Sequence, residues 1–156
     1  MLLITGNPGS GKTTLIRRVA DALAGRRLGG FYTEEIRVGG ERRGFRLATF
    51  DGQERVMAHV EFGGPHRVGK YAVDVSVIDA VADSALAVRD EVDVYLVDEI
   101  GKMECMSSRF VAALRGLLDS AKPVVATIAR RGGGFITDVK ARKDAELWEV
   151  TRANRD

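Results

Sequence analysis

The run Gly6-Asn7-Pro8-Gly9-Ser10-Gly11-Lys12-Thr13, entered from the apolar stretch Leu2, Leu3, Ile4 and Thr5, constrains this 156-residue chain more than any other segment. It completes the pattern G-x-x-x-x-G-K-[ST], a phosphate-binding loop (Walker A) when a strand precedes it and a helix follows. Both flanks read that way here. Glycines at 6, 9 and 11 admit backbone angles and close approach that a Cβ forbids, so successive N–H groups turn inward around an anion. The helix that follows adds its unpaired amides and its dipole at the same point. Lys12 is expected to reach the β- and γ-phosphates, and the Thr13 hydroxyl to bind Mg²⁺.

From Thr14 to Ala24 an apolar stripe of Leu15, Val19, Ala22 and Leu23 predicts a helix, with Arg17, Arg18 and Asp21 on its wet side. Gly29–Arg37 and Gly44–Phe50 read as strands joined at Gly39-Gly40-Glu41, and Asp51-Gly52 turns the chain into Glu54–Val60. An antiparallel meander is therefore expected between about residues 30 and 62. Val68–Asp74 reads as a loop with a short extended piece. Asp74 then caps a helix with Val77, Ile78, Val81, Ala82, Ala85 and Val88 on its apolar face. Val92–Val97 is apolar enough for a strand buried on both faces. Ser107 or Ser108 caps a helix facing inward through Phe110, Val111, Leu114, Leu117 and Leu118. Pro123–Ala129 is a second buried strand. A mobile Gly132-Gly133-Gly134 loop, a short helix near Phe135–Lys143 and a strand around Glu146–Thr151 follow, with Trp148 expected to pack. Strands and helices alternate at both ends, which predicts a parallel sheet between helical layers.

Length and composition fit one domain over residues 1–156: 45% of residues are apolar and 29% charged, ordinary for a globular chain. No apolar run approaches the roughly 20 residues that span a bilayer. Leu2–Thr5 is too short for a signal-peptide core, so a cytoplasmic protein with no membrane association is expected. The single cysteine, Cys105, excludes an internal disulfide and reads as a small hydrophobe. A net charge of +2 is too modest to imply nucleic acid. Arg37, Arg42, Arg43 and Arg46 fall on the predicted hairpin, where a solvated ribbon face is favoured over a phosphate or RNA patch. His59 and His66 have no ligand spacing. Phe31 and Tyr32 are candidates to stack on a base, although one of two neighbours on a strand must face the core.

A second motif, Val94-Tyr95-Leu96-Val97-Asp98-Glu99, is an apolar strand ending in two carboxylates. Asp98 is the expected partner of the Mg²⁺ site. Glu99, beside it, is placed to polarise a water for in-line attack on a γ-phosphorus, against the plainer reading of a surface acid at a turn. Cations to neutralise the phosphate oxygens are sought in Lys12, in Lys102, which faces either phosphates or solvent, and in Arg130 and Arg131. The two arginines leave a strand end before the three glycines and read as an arginine finger or as surface charge. Thr127 reads as a hydrogen-bond donor to phosphate or water, or as a core threonine.

Taken together, GNPGSGKTTL, GGFYTEEIR, RRGFRLATFDG, VGKYAVD, LVDEIGKMEC and ELWEVTRANRD resemble the archaeal and bacterial nucleoside-triphosphatase family that includes the vertebrate cancer-related nucleoside triphosphatase. The likeness runs through nearly the whole chain in order. It implies a three-layer P-loop NTPase fold of the additional-strand, catalytic-glutamate type, mostly parallel with an antiparallel addition. It also implies slow, Mg²⁺-dependent hydrolysis of ATP, GTP, CTP and UTP to diphosphate and phosphate by a monomer with loose base choice. By position, Gly6–Thr13 with Thr14 form the phosphate-binding segment. Leu96, Val97, Asp98, Glu99, Ile100, Gly101, Lys102 and Met103 form the second nucleotide-contacting segment. The resemblance further implies a C-terminal helix beyond Asp156. The rivals are a nucleoside or nucleotide kinase, for which Ala129–Gly134 is the lid-like candidate, and a guanine-specific switch, disfavoured because no Asn-Lys-x-Asp tetrapeptide occurs.

Overall fold

The computed structural model describes residues 1–151, 153 and 154. Arg152, Arg155 and Asp156, and so most of the closing Asn154-Arg155-Asp156, lie outside the described residues. The strands are β1 (Leu2–Thr5), β2 (Leu28–Val38), β3 (Glu41–Thr49), β4 (Glu54–His59), β5 (Arg67–Val68), β6 (Tyr71–Val73), β7 (Val94–Ile100), β8 (Val124–Ile128) and β9 (Glu146–Glu149). The helices are α1 (Lys12–Ala22), α2 (Val75–Ala85), α3 (Ser108–Asp119) and α4 (Phe135–Lys140), with a 3₁₀ turn at Glu104–Met106.

These strands form one sheet in the order β5-β6-β4-β3-β2-β7-β8-β1-β9. Strand β1 lies parallel to β8 and β9, and β7 parallel to β8 and β2. Strand β2 serves two sheets' worth of pairing: Leu28–Phe31 run parallel to β7, and Phe31–Val38 run antiparallel to β3. The parallel half sits so close to β7 that a Cβ on Gly30 would fall 1.9 Å from the Leu96 carbonyl oxygen. The meander is longer than the sequence predicts. The stretch read as a loop with one short extended piece before Asp74 supplies two short strands, β5 and β6, which continue the antiparallel pairing through β4.

Strand alternation divides the buried residues between two faces. Leu3, Tyr95, Val97, Val124, Ala126 and Ile128 join Phe31, Leu47, Phe110, Leu114 and the apolar faces of α2 and α3 in one continuous core. Ile4, Leu96 and Thr127 are equally buried but belong to the other face. There α1 packs on β2, β7 and β8 through Ile16. Helices on both sides of the sheet give three layers, as the alternating pattern predicts.

Helix α1 starts at Lys12, directly after the glycine loop as the pattern predicts, with Gly11 as its N-cap. Three local expectations change. Helix α2 stops at Ala85 and leaves Val88 exposed. The buried Tyr95 hydroxyl donates to the Ala87 carbonyl at 2.6 Å and accepts from the Arg89 N–H at 2.9 Å, so the chain bends over that ring instead of continuing the helix. Strand β7 runs on to Ile100. Trp148 does not pack: on the edge strand β9 it is 55% exposed, and its indole N–H donates to Glu146.

Candidate active site

The loop between β1 and α1 is shaped by its glycines: Gly9 has φ 79° and Gly11 φ 100°, a region open to glycine at little cost. Asn7, Pro8 and Gly9 are exposed, while Ser10 is buried with no hydrogen-bond partner for its hydroxyl. No side chain caps α1 and no acid occupies its first turn, so its N-terminal amides keep their attraction for an anion. Thr13 is half-buried and Thr14 exposed.

Lys12 lies across the mouth of this loop. Its Nζ donates to the Gly6 carbonyl at 3.1 Å and to Glu99 Oε2 at 2.9 Å. The loop lysine and the strand-end acid, far apart in sequence, thus form an ion pair. Glu99 follows Asp98 at the carboxyl end of β7, where ligands bind in open α/β sheets.

Asp98 faces the α1 side with Thr127, as alternation from Val97 and Ala126 requires, and only 2% of it is exposed. Its Oδ1 accepts from the Thr127 hydroxyl at 2.7 Å, and its Oδ2 from the Thr33 N–H at 3.5 Å. Burial raises its carboxyl above the ordinary value and the Glu99 charge adds to this, against hydrogen bonds from Thr127, Thr13 and Thr33. Of the two readings of Thr127, the structure has the core threonine: fully buried, with its hydroxyl spent on Asp98.

Leu96, Val97, Ile100 and Gly101 are buried, Met103 is half-buried and Lys102 is exposed. Lys102, Arg67, Cys105, Met106, Gly132 and Ile136 border a cleft of about 510 Å³ beside the end of β7. Arg130 and Arg131 are both exposed, and Arg130 pairs with Glu149 at 2.8 Å. The Cys105 thiol is pushed up to about 12, chiefly by burial, which leaves it protonated and unreactive.

Outside the site, Arg37 and Arg42 both pair with Glu35, and Arg43 with Glu61, which accounts for most of the charge on the hairpin. Phe31 is the core member of its pair, whereas Tyr32 lies against Phe50 and under Arg17. Among the described residues no group of three or more His, Cys, Asp and Glu could hold a metal.

Two residues near the site escape sequence reading. Lys140, at the end of α4, donates to the Arg130 carbonyl at 2.7 Å. Its ammonium is lowered by burial and by the neighbouring charges of Lys12 and Arg130, which places it near the loop. Glu104, in the 3₁₀ turn, is buried and lies near Glu99. A lysine at a helix end and an acid after a turn look like ordinary surface residues. Only the closeness of Glu104 to the second motif gave any signal.

With β8 between the strand that feeds the glycine loop and the strand that ends in Asp98 and Glu99, the sheet has the additional-strand order of P-loop NTPases, and the chain is one of them. Comparison with known proteins narrows this class. The profile of a family described as NTPase matches residues 1–156, and the chain belongs to that family. It is 42% identical over 157 residues to the nucleoside-triphosphatase THEP1 of Thermotoga petrophila, covering 99% of this chain and 86% of that protein. It is 39% identical over 160 residues to THEP1 of Methanocaldococcus jannaschii, covering 99% and 90%. Among solved structures, THEP1 from Aquifex aeolicus superposes with a TM-score of 0.90 at 36% identity, over 100% of this chain and 93% of that one. The solution structure of a human cancer-related nucleoside triphosphatase superposes with a TM-score of 0.82 at 35% identity, over 99% and 90%. The chain is accordingly a nucleoside-triphosphatase.

Proposed function

We propose that this enzyme hydrolyses ATP, GTP, CTP and UTP to the diphosphate and phosphate with Mg²⁺, slowly and with little preference for the base. The observation that carries this reading is the 2.9 Å pairing of Lys12 with Glu99 over the glycine loop. In this reading Lys12 is the phosphate-binding cation and Glu99 the general base, and their contact supports a shared task at the loop. Loop amides and the α1 N-terminus bind the polyphosphate, and Lys12 moves from Glu99 to the β- and γ-phosphates. Glu99 then takes a proton from water as the water oxygen bonds to the γ-phosphorus and the bond to the bridging oxygen breaks.

The Thr13 hydroxyl and the Asp98 carboxylate are hard oxygen donors that meet each other, a set that fits Mg²⁺ with water and phosphate oxygens as the other ligands. Held there, Mg²⁺ supplies charge neutralisation for the phosphate oxygens. The absence of a guanine-selecting tetrapeptide supports loose base choice. Among the described residues no helix is long and apolar enough to cross a membrane. With a lone half-buried thiol, this supports a cytoplasmic enzyme, which we take to act as a monomer.

A second reading, transfer of the γ-phosphoryl group to a small acceptor, is favoured by the cleft beside β7, where Arg67 and Lys102 offer positive charge. Phosphate release from the four triphosphates, with and without Mg²⁺ and with no acceptor added, separates the two. Release that needs Mg²⁺ alone supports hydrolysis; release only on addition of an acceptor supports transfer.

A further inference from the structure

Glu99 has two carboxylate oxygens, and only Oε2 is engaged by Lys12. The other, Oε1, points across Gly101. A Cβ on Gly101 would lie 2.8 Å from Glu99 Oε1 and 2.9 Å from Glu104 Oε1, so the two side chains converge on the space that this glycine leaves open. Glu104 is buried, and the backbone of Gly101 and of Glu104 itself favours the charged form of its carboxyl without outweighing burial. Met103, Cys105 and Met106 around it pack on the hydrophobic core. Nothing in such surroundings calls for a carboxyl group, and burying one without a cation costs stability. An apolar side chain of similar size would suit the fold better.

We propose that Glu104 is a positioning residue for Glu99, fixing the Oε1 side of its carboxylate from beneath Gly101 while Oε2 is released to water. The proposal rests on the reading of Glu99 as general base. Its physical content lies in what happens when Lys12 leaves. Lys12 holds Glu99 on the Oε2 side, and the Glu104 carboxyl approaches it on the Oε1 side. Once a phosphate takes Lys12, the Oε2 contact is gone and Glu99 is free to rotate away from the line of attack. A wall of fixed atoms on the Oε1 side removes that freedom at the moment the general base is needed. Glu104 is well suited to supply this wall because burial restricts its own rotamer. Burial, with the Glu99 and Asp98 charges, also pushes its carboxyl up to about 8, so near neutral pH it meets Glu99 mostly as a neutral acid and not as a second anion.

The test is a double-mutant cycle of Glu104→Leu with Glu99→Gln, read by single-turnover phosphate release and by binding of a nonhydrolysable triphosphate analogue. Glu104→Leu is expected to lower kcat by about 10- to 100-fold, the usual penalty for a misplaced catalytic group, with analogue affinity unchanged. Glu104→Gln, of the same shape, should retain most of the activity. In the Glu99→Gln background Glu104→Leu should cost little more. Wild-type kcat in Glu104→Leu overturns the proposal, and so does the same fold-loss in both backgrounds. Should Glu104→Leu not fold, Gly101→Ala separates the two carboxyls without removing either, and a kcat unchanged in that variant overturns the proposal equally. A wild-type rate in Glu99→Gln alone refutes instead the general-base reading on which the proposal stands.

Discussion

Replacing Glu99 by glutamine perturbs binding and chemistry in opposite directions. In the free enzyme its carboxylate holds Lys12 at 2.9 Å, with 12% and 31% of the lysine and glutamate side chains exposed. The lysine is largely buried but the glutamate is about a third exposed, and solvent screening there keeps the contribution of the pair at about 1 kcal/mol. The Glu99→Gln amide is neutral, so Lys12 no longer leaves an anion in order to meet a phosphate. Affinity for a nonhydrolysable triphosphate should therefore rise, by up to about fivefold. Turnover should fall by about 10²–10⁴, because an amide does not accept the water proton. That loss corresponds to about 3–5 kcal/mol of transition-state stabilisation. Calorimetric titration of the analogue reads the first effect, and phosphate release in a single turnover reads the second. A wild-type rate refutes the role of Glu99 in proton transfer. An affinity below that of the wild type refutes the competition between carboxylate and phosphate for Lys12.

Lys12→Ala should weaken analogue binding by about 10- to 100-fold and depress turnover with it; unchanged turnover removes Lys12 from phosphate binding. Arg130→Ala and Arg131→Ala distinguish an arginine finger from surface charge: a loss confined to kcat in either variant marks that residue as the finger, and no effect in both leaves plain surface charge. Thr127→Val removes the donor at 2.7 Å from Asp98 Oδ1, and should lower stability by about 1–3 kcal/mol and raise the Mg²⁺ concentration needed for half-maximal activity; an unaltered Mg²⁺ requirement means that Thr127 has no part in holding Asp98. Glu104 gives stability a pH dependence of definite sign. Its carboxyl keeps its proton up to about 8 in the folded chain, against an ordinary value of 4.5. Between those values the unfolded chain binds fewer protons, so this contribution is complete below the lower value and is lost as pH rises through the upper one, by up to about tenfold in the folding equilibrium per pH unit. Glu104→Gln should flatten that fall, and Tm curves for the two proteins that stay parallel from about pH 5 to pH 8 refute it.

The elements easiest to read from sequence are those specified by local chemistry. The glycine loop needs its residue types in one order, and β7 and β8 announce themselves as short apolar runs because both of their faces are covered. The helical stripes of α2 and α3 are visible for the same reason: burial imposes a period. The errors fall where long-range contact overrides local pattern. Val88 continues the apolar period of α2, but Tyr95 takes the backbone beyond Ala85 for its own hydroxyl, and the helix ends. Trp148 has the look of a core residue, yet β9 is the outermost strand beside β1 and covers neither of its own faces. Strands β5 and β6 are too short to show a period at all. At the site, the pattern shows which residue types are present but not which pairs they form. That Lys12 would meet Glu99, that Thr127 would serve Asp98, or that Glu104 would turn inward depends on the sheet bringing β7, β8 and the loop after β1 to one edge.

These pairings bear on how the proposed site would take up a polyphosphate. Unpaired like charges at one strand end repel each other, and an uncompensated charge is costly wherever water is scarce. Here Lys12 is occupied by Glu99 and Arg130 by Glu149, at 2.9 and 2.8 Å. The Arg130 pair is half-exposed and the Lys12 pair part-buried with its glutamate about a third open to water, so both are within reach of exchange. An incoming triphosphate brings more negative charge than either glutamate, so it can displace a carboxylate from a lysine or an arginine at little net cost. The two acids then meet different fates. Glu149, on the edge strand, would be released to solvent if Arg130 is a finger, whereas on the proposed mechanism Glu99 would be set free next to the γ-phosphate with Asp98 fixed behind it. On the proposed mechanism, the contact that holds Lys12 is the same contact whose loss would leave Glu99 unengaged as general base, so that substrate binding and activation of the base would be one event.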